Sequence, residues 1–285
     1  DCLLSRGLGD VYKRQVYYDV HMQSCDINLA KGREMLIITH CQEGRIEFEY
    51  KNGEYLYLAS GDLSIQKNTE NIRHRYCPLS HYHGVSVAID MNRVPRCFSC
   101  ILDDVFVSPE ELEMKFCSEK PYSIMRENIS IEHIFSELYS VPENIRKGYH
   151  KVKVLELLLF LSGLEYKGES EERRYFSRSQ VTAAKEAKKY LLAHLDEHIT
   201  ITELADMLGI SSTSLKICFK GVYGDTINGY ITNCKMQKAA SLLKNTDKSV
   251  LEIAGIVGYN NGSKFAGAFR RVMNKSPNEY RKSPV

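Results

Sequence analysis

Between residues 250 and 273 the apolar positions fall at helical spacing in two short runs. Ile253, Ala254, Ile256 and Val257 form one face that stops at Gly258, while Phe265, Ala268, Phe269 and Val272 recur at i, i+3, i+4 and i+7. Gly258 is a natural C-terminal glycine, and the polar run Asn260-Asn261-Gly262-Ser263 offers a cap for the second helix. The outward face of that helix carries Ser263, Lys264, Gly267, Arg270 and Arg271. A short helix, a tight glycine turn and a second helix with a polar, basic outer face predict a helix-turn-helix. Taken alone, the stretch also fits an αα-hairpin inside a helical bundle.

The same plan occurs about fifty positions upstream. Glu203, Leu204, Ala205 and Gly209 match Glu252, Ile253, Ala254 and Gly258 at an offset of 49, and Leu215, Phe219 and Tyr230 match Phe265, Phe269 and Tyr280 at 50. A repeat of this length signals a duplicated supersecondary unit, and two copies make a tandem motif, not a solenoid.

Three landmarks then carry a family resemblance: "ITELADMLGIS", the helix ending "KAASLLKNTDKSVLEIAGIVGY", and the spacing from Phe265 through "AFRR" to "SPNEYR". With these in order over about a hundred residues, the region resembles the DNA-binding domain of the bacterial AraC/XylS transcription regulators. The resemblance implies seven helices, with two helix-turn-helix units at 201–222 and 251–274 held apart by a long helix at about 226–243. Such a linker is roughly 25 Å long. It would set two recognition helices into successive major grooves of double-stranded DNA, about 34 Å apart. Base-reading candidates are Ser212, Thr213 and Lys216 in the first unit and Asn260, Asn261, Ser263 and Lys264 in the second. Phosphate candidates are Arg270 and Arg271, and Lys220 is a further DNA-binding candidate. Gly262 and Gly267 leave room for close approach, either to DNA or to a neighbouring helix. Two departures from the family stand out: Gly267 replaces a usual arginine, and Lys216-Ile217 replaces a usual Ser-Arg pair.

Upstream, residues 16–90 change period. "MLIITHCQEG", "RIEFEYKNGEYLYLA" and "GVSVAID" are short, rich in β-branched and aromatic residues, and broken by turns. Asn52-Gly53 predicts a type I′ hairpin. "LASGDLSI", with Gly61-Asp62, resembles a turn of the cupin-like effector domains that precede many DNA-binding domains of this family. Helices are expected at about 109–116, 128–139 and 143–165, the last with Val152, Leu155, Leu159 and Leu161 on an apolar face. Family resemblance suggests dimerisation through such helices; packing on the chain's own barrel is the alternative.

The reading is therefore α+β. A small cupin-like β-barrel with trailing helices at 16–166 is followed by a linker at 167–179 and an all-α DNA-binding domain at 180–285. The first fifteen residues resemble a translated sequencing-adapter read-through and are set aside.

Charge sharpens this division. From Arg178 onward there are 16 Lys and Arg against 9 Asp and Glu, a net of +7, which leaves −5 for the rest of the +2 chain. A basic C-terminal domain on an acidic partner suits phosphate contact at one end. Nine cysteines without a framework point to free thiols in a bacterial cytoplasm, and the lone Cys97–Cys100 pair lacks two further zinc ligands. No secretory signal is visible, and "VLELLLFLSGL" is too short to span a bilayer and contains Glu156.

Candidate chemistry in the N-terminal half is sparse. His81 and His83 form an HxH of the kind used in cupin metal sites, but "GVSVAID" after them holds no glutamate at the expected spacing. No metal, cofactor or catalytic residue is therefore assigned. Arg73, His74, Arg75, His81 and His83 are candidates to meet an effector at the barrel mouth. The favoured function is a sequence-specific regulator modulated by a small molecule or by homodimerisation, meeting RNA polymerase if it activates. The alternative is a cupin-type metal-dependent enzyme with a helical appendage.

Overall fold

The computed structural model describes residues 13–21, 34–67, 72–93, 107–166 and 176–283. The chain divides into two units, residues 1–175 and 176–285. Most of the suspected foreign tail, the Cys97–Cys100 pair and most of the expected linker lie outside the described residues. The tail and the described fold meet at Lys13, where the first strand begins.

In the N-terminal unit the strands are β1 (Lys13–Val20), β2 (Met35–Tyr50), β3 (Tyr55–Ala59), β4 (Leu63–Lys67), β5 (Ile72–Tyr76), β6 (Tyr82–Asp90) and β7 (Tyr122–Met125). Helix α1 (Pro109–Cys117) precedes β7; α2 (Ile129–Ser136), a 3-10 turn and α3 (Arg146–Gly163) follow it. The main path runs β1-β6-β2-β4-β7, with β3 and β5 also paired to β2. Every pairing is antiparallel.

The 16-residue β2 organises this unit. Its first part, Leu36 to His40, pairs with both β6 and β4, while Glu47 to Tyr50 lies with β5 and Arg45 to Glu49 with β3. The register shifts between Cys41 and Glu43, and Gly44 follows at φ +83°. A bulge of this kind bends a strand and increases its twist. Among the described strands nothing joins β1 back to β7, so the sheet is open where a small closed barrel was expected. The physical reason is β2 itself, which changes partners at the bulge and so builds a second set of strands instead of closing the first.

Strand alternation sorts the side chains into two cores. Leu36, Ile38, Leu63, Ile65, Val85, Val87 and Ile89 pack with Phe116, Phe135, Leu157 and Leu161 from the helices. A second cluster gathers Val16, Tyr18, Val20, Cys41, Phe48, Leu58, Tyr82 and Ile124.

Two local expectations are corrected. At the hairpin after β2 only Gly53 has a positive φ, +83°, and its N–H donates to the Tyr50 carbonyl at 3.0 Å. Asn52 stays in the ordinary region, so a three-residue loop with a left-handed glycine replaces the type I′ turn, which needs positive φ at two residues. On α3 the buried stripe is His150, Lys153, Val154, Leu157, Leu158 and Leu161. Val152 is 63% exposed, and Leu155 and Leu159 are half-buried, so of the expected face only Leu161 is fully in the core.

The C-terminal unit contains seven helices among its described residues: α4 (Arg178–Ala193), α5 (Ile201–Met207), α6 (Ser212–Tyr223), α7 (Ile227–Asn245), α8 (Val250–Ile256), α9 (Gly262–Met273) and α10 (Pro277–Lys282). Their boundaries are written locally. Ser177, Thr200, Ser249 and Ser276 each form a capping box with a Gln or Glu three positions on. Hydrogen bonds from the cap residues hold the Glu203, Glu252 and Glu279 carboxyls below their ordinary range. Helix α7 is about 28 Å long at 1.5 Å per residue. Tyr230, near its start, meets Phe219 of α6, while Met236, Ala239, Ala240 and Leu243 join the core of α8 and α9. Among the described residues no helix is long and apolar enough to cross a membrane.

Candidate nucleic-acid interface

The two helix-turn-helix motifs are built alike. In each, a capping box starts the first helix, at Thr200 and at Ser249. A left-handed glycine then turns the chain, Gly209 at φ +67° and Gly258 at φ +76°. At Gly258 a β-carbon would lie 2.6 Å from the Asp196 carbonyl oxygen, so glycine is required twice over. The second helix starts from a side-chain cap: Ser211 Oγ accepts from the Ser214 N–H at 3.1 Å, and Asn261 Oδ1 accepts from the Lys264 N–H at 3.0 Å. Each ends in a left-handed residue, Gly224 at φ +81° and Asn274 at φ +56°. The aromatic contacts repeat as well: Phe219 meets Tyr230 edge-on at 5.6 Å and 76°, and Phe269 meets Tyr280 at 5.5 Å and 81°.

These cores fix what points outward. On α6, Thr213, Lys216 and Lys220 are exposed and Ser212 is half-buried, while Leu215, Cys218 and Phe219 face inward. On α9, Ser263, Lys264, Arg270 and Arg271 are exposed, and Phe265, Ala268 and Phe269 are buried. Asn260 is exposed in the turn just before the cap. Arg270 and Arg271 fall in the last turn of α9, where cations also complement the helix dipole. Asn261 has a structural duty: its side-chain oxygen caps α9, leaving the amide Nδ2 as the group it can offer a base. The signals for the capping boxes, Thr200-x-x-Glu203 and Ser249-x-x-Glu252, were present in the sequence.

Residues 204–283 match the family described as Helix-turn-helix domain. The chain is 31% identical over 153 residues to the xylose operon regulatory protein of Escherichia coli K12, a match covering 50% of this chain and 39% of that protein. It is 34% identical over 86 residues to a putative AraC-like transcription regulator of Streptomyces lividans, covering 30% of this chain and 28% of that one. The C-terminal domain is similar to the helix-turn-helix domains of AraC-like regulators. Among solved structures, the C-terminal domain of AraT, a response regulator from Geobacillus stearothermophilus, matches 36% of this chain and 86% of its own, at 32% identity and a TM-score of 0.35. The chain thus spans well under two thirds of the length of the curated relatives it matches.

Within this helix-turn-helix domain the exposed Gly267 has no structural need for glycine. Its φ is not in the left-handed region, and an added β-carbon would meet nothing within 4 Å. No packing against a neighbouring helix accounts for it, and Gly262 has only ordinary contact, 3.5 Å, with Leu251. Gly267→Ala is therefore expected to raise the stability of the C-terminal unit by about 1 kcal/mol, the usual helix-propensity difference. Chemical denaturation of both proteins checks this, and a loss of stability would mean that the site is crowded.

The N-terminal candidates separate into two groups. Arg73, His74 and Arg75 lie on β5, where Arg73 reaches Glu49 at 3.8 Å and Arg75 lies over the Phe48 ring at 6.0 Å. His81 directly precedes β6 and His83 lies near its start, beside a residue that sequence reading missed, His21. The carboxylate sought after His83 comes instead from neighbouring strands. Glu43 Oε2 is 3.2 Å from His81 Nε2, and Asp19 Oδ1 is 2.5 Å from His83 Nε2. The i, i+2 spacing of Asp19 and His21, at the end of β1, was the available signal.

Proposed function

We propose that this chain is a sequence-specific transcription regulator whose two helix-turn-helix motifs bind successive major grooves of double-stranded DNA. The observation that carries the reading is the duplicated motif itself: each copy holds its second helix by the same cap and aromatic contact, and each presents exposed polar and cationic side chains on a domain of net +7. Relatives named as operon regulators support it.

In this proposal Thr213 and Lys216 on α6, and Ser263 and Lys264 on α9, reach base edges, with Ser212, Asn260 and Asn261 beside them. Lys220 and Arg270 occupy equivalent positions at the repeat offset of 50 and, with Arg271, hold phosphates. The N-terminal unit, with its open antiparallel sheet, is the effector or dimerisation module. The exposed side of α3 around Val152 is our proposed homodimer contact. The protein works in the cytoplasm and has no catalytic role.

The test is affinity against salt concentration on a selected operator and on random DNA. Lys264→Ala is expected to cost about 1–3 kcal/mol on the operator and much less on random sequence. Arg270→Ala and Arg271→Ala should weaken both, each reducing the salt slope by about one. Equal losses on both DNAs for Lys264→Ala would show that α9 is docked differently.

A further inference from the structure

We propose that His21, His81 and His83 form a binding site for a divalent first-row transition cation of the zinc type, supported by Asp19 and Glu43. The strand register builds it. Asp19 pairs with His83 across β1 and β6, and Glu43 pairs with His83 across β2 and β6. One row across three strands therefore reads Asp19, His83, Glu43. His81 lies two residues before His83, and His21 lies two residues after Asp19. His21 directly follows β1 and His81 directly precedes β6, so both flank the row at the same end of the sheet.

Side chains complete the convergence. One ring nitrogen from each histidine lies within 4.8 Å of those from the other two. The ring centroids are 5.3 Å apart for His21 and His81, 5.6 Å for His21 and His83, and 4.6 Å for His81 and His83. Asp19 Oδ1 lies 2.9 Å from His21 Nε2 and 2.5 Å from His83 Nε2; Glu43 Oε2 lies 3.2 Å from His81 Nε2 and 3.9 Å from His83 Nδ1. Three imidazoles with an adjacent carboxylate make a nitrogen-rich set that suits zinc, cobalt, nickel or copper and disfavours magnesium or calcium, which take oxygen ligands. Each imidazole has two nitrogens. One can bind the ion while the other donates to a carboxylate, which orients the ring and raises its basicity.

The site sits at an exposed end of the sheet, with His83 30% and His21 61% exposed, so a cation reaches it from solvent. Its occupancy would tie β1 to β6 at a point where no disulfide or helix does so among the described residues.

The experiment is zinc titration of the chelator-stripped full chain by calorimetry, with magnesium in parallel, together with thermal unfolding with and without zinc. One zinc per chain and a raised unfolding temperature for the N-terminal unit are expected, with no response to magnesium. The double variant H81Q/H83Q should lose both responses, and Asp19→Asn should weaken zinc binding about 10–100-fold. Circular dichroism of the metal-free variants checks that they fold, and the exposed Asp19→Asn keeps the test alive if the double variant does not. Because the chain has nine cysteines, cobalt replaces zinc in a spectroscopic arm. Visible cobalt bands without thiolate charge transfer support the site. A thiolate spectrum, zinc uptake unchanged by these substitutions, or an equal response to magnesium would overturn it.

Discussion

Replacing Phe269 with alanine is expected to lower the stability of the C-terminal unit by about 3–5 kcal/mol, the usual cost of emptying a buried phenylalanine site. The ring is fully buried, lies 5.7 Å from Phe265 and meets Tyr280 edge-on at 5.5 Å. It joins α9 to α10 and sits in the same cluster as Met236, Ala239 and Leu243 of α7. Truncation therefore removes transfer energy and leaves a cavity between three helices that are held by their caps. The measurement is the denaturation midpoint of the C-terminal transition in the full chain, with Arg270→Ala as the surface control. An unchanged midpoint would mean that this face of α9 is not in the core. Operator affinity should fall with stability, because Lys264 and Arg270 depend on that face for their direction.

Acidification should weaken the N-terminal unit through His40. Its ring is buried, stacks on Phe135 at 4.3 Å, and places Nδ1 3.1 Å from the Tyr139 hydroxyl. Burial lowers its pKa from the ordinary 6.5 to about 4. The unfolded chain therefore binds a proton at this residue at higher pH than the folded chain does. The associated stability is fully present above about pH 6.5 and is lost progressively as pH falls toward about 4. The whole loss is about 3 kcal/mol at 1.36 kcal/mol per pKa unit. His150, whose pKa burial also lowers, acts in the same direction. Denaturation at several pH values, for the native chain and for His40→Gln, isolates the His40 share: the native chain should lose more between pH 7 and 4.5. Parallel curves would refute the assignment.

What could be read in advance was what is local. Gly209 and Gly258 announced their turns because only a left-handed residue ends those helices so abruptly, and both have positive φ. The spacing of Phe265, Ala268, Phe269 and Val272 placed the first three in the core and left Val272 half-buried. The Asn52-Gly53 hairpin was found in the right place with the wrong turn, since one left-handed residue suffices when the loop has three residues. On α3 the apolar run is dense enough that periodicity alone chose the wrong stripe: Lys153 and His150 go inside because they find partners there. Lys153 meets Glu137 and Glu156 at 2.8 Å, and His150 meets the Tyr17 hydroxyl at 2.6 Å. The carboxylates near His81 and His83 were illegible for a different reason. Asp19 and Glu43 lie far from them in sequence, and only the pairing of β1, β6 and β2 brings the five residues together.

The long strand β2 also bears on how the N-terminal unit comes apart. Because one continuous segment supplies hydrogen bonds to β3 and β5 at one end and to β4 and β6 at the other, neither group of strands has a private boundary. Fraying that starts at the Gly53 hairpin runs along β2 to the bulge before it meets the helix-backed half. The bulge at Cys41 to Glu43 is then the natural firebreak. Beyond it, opening the backbone exposes the core under α2 and α3, so the remainder is released as one cooperative block or not at all.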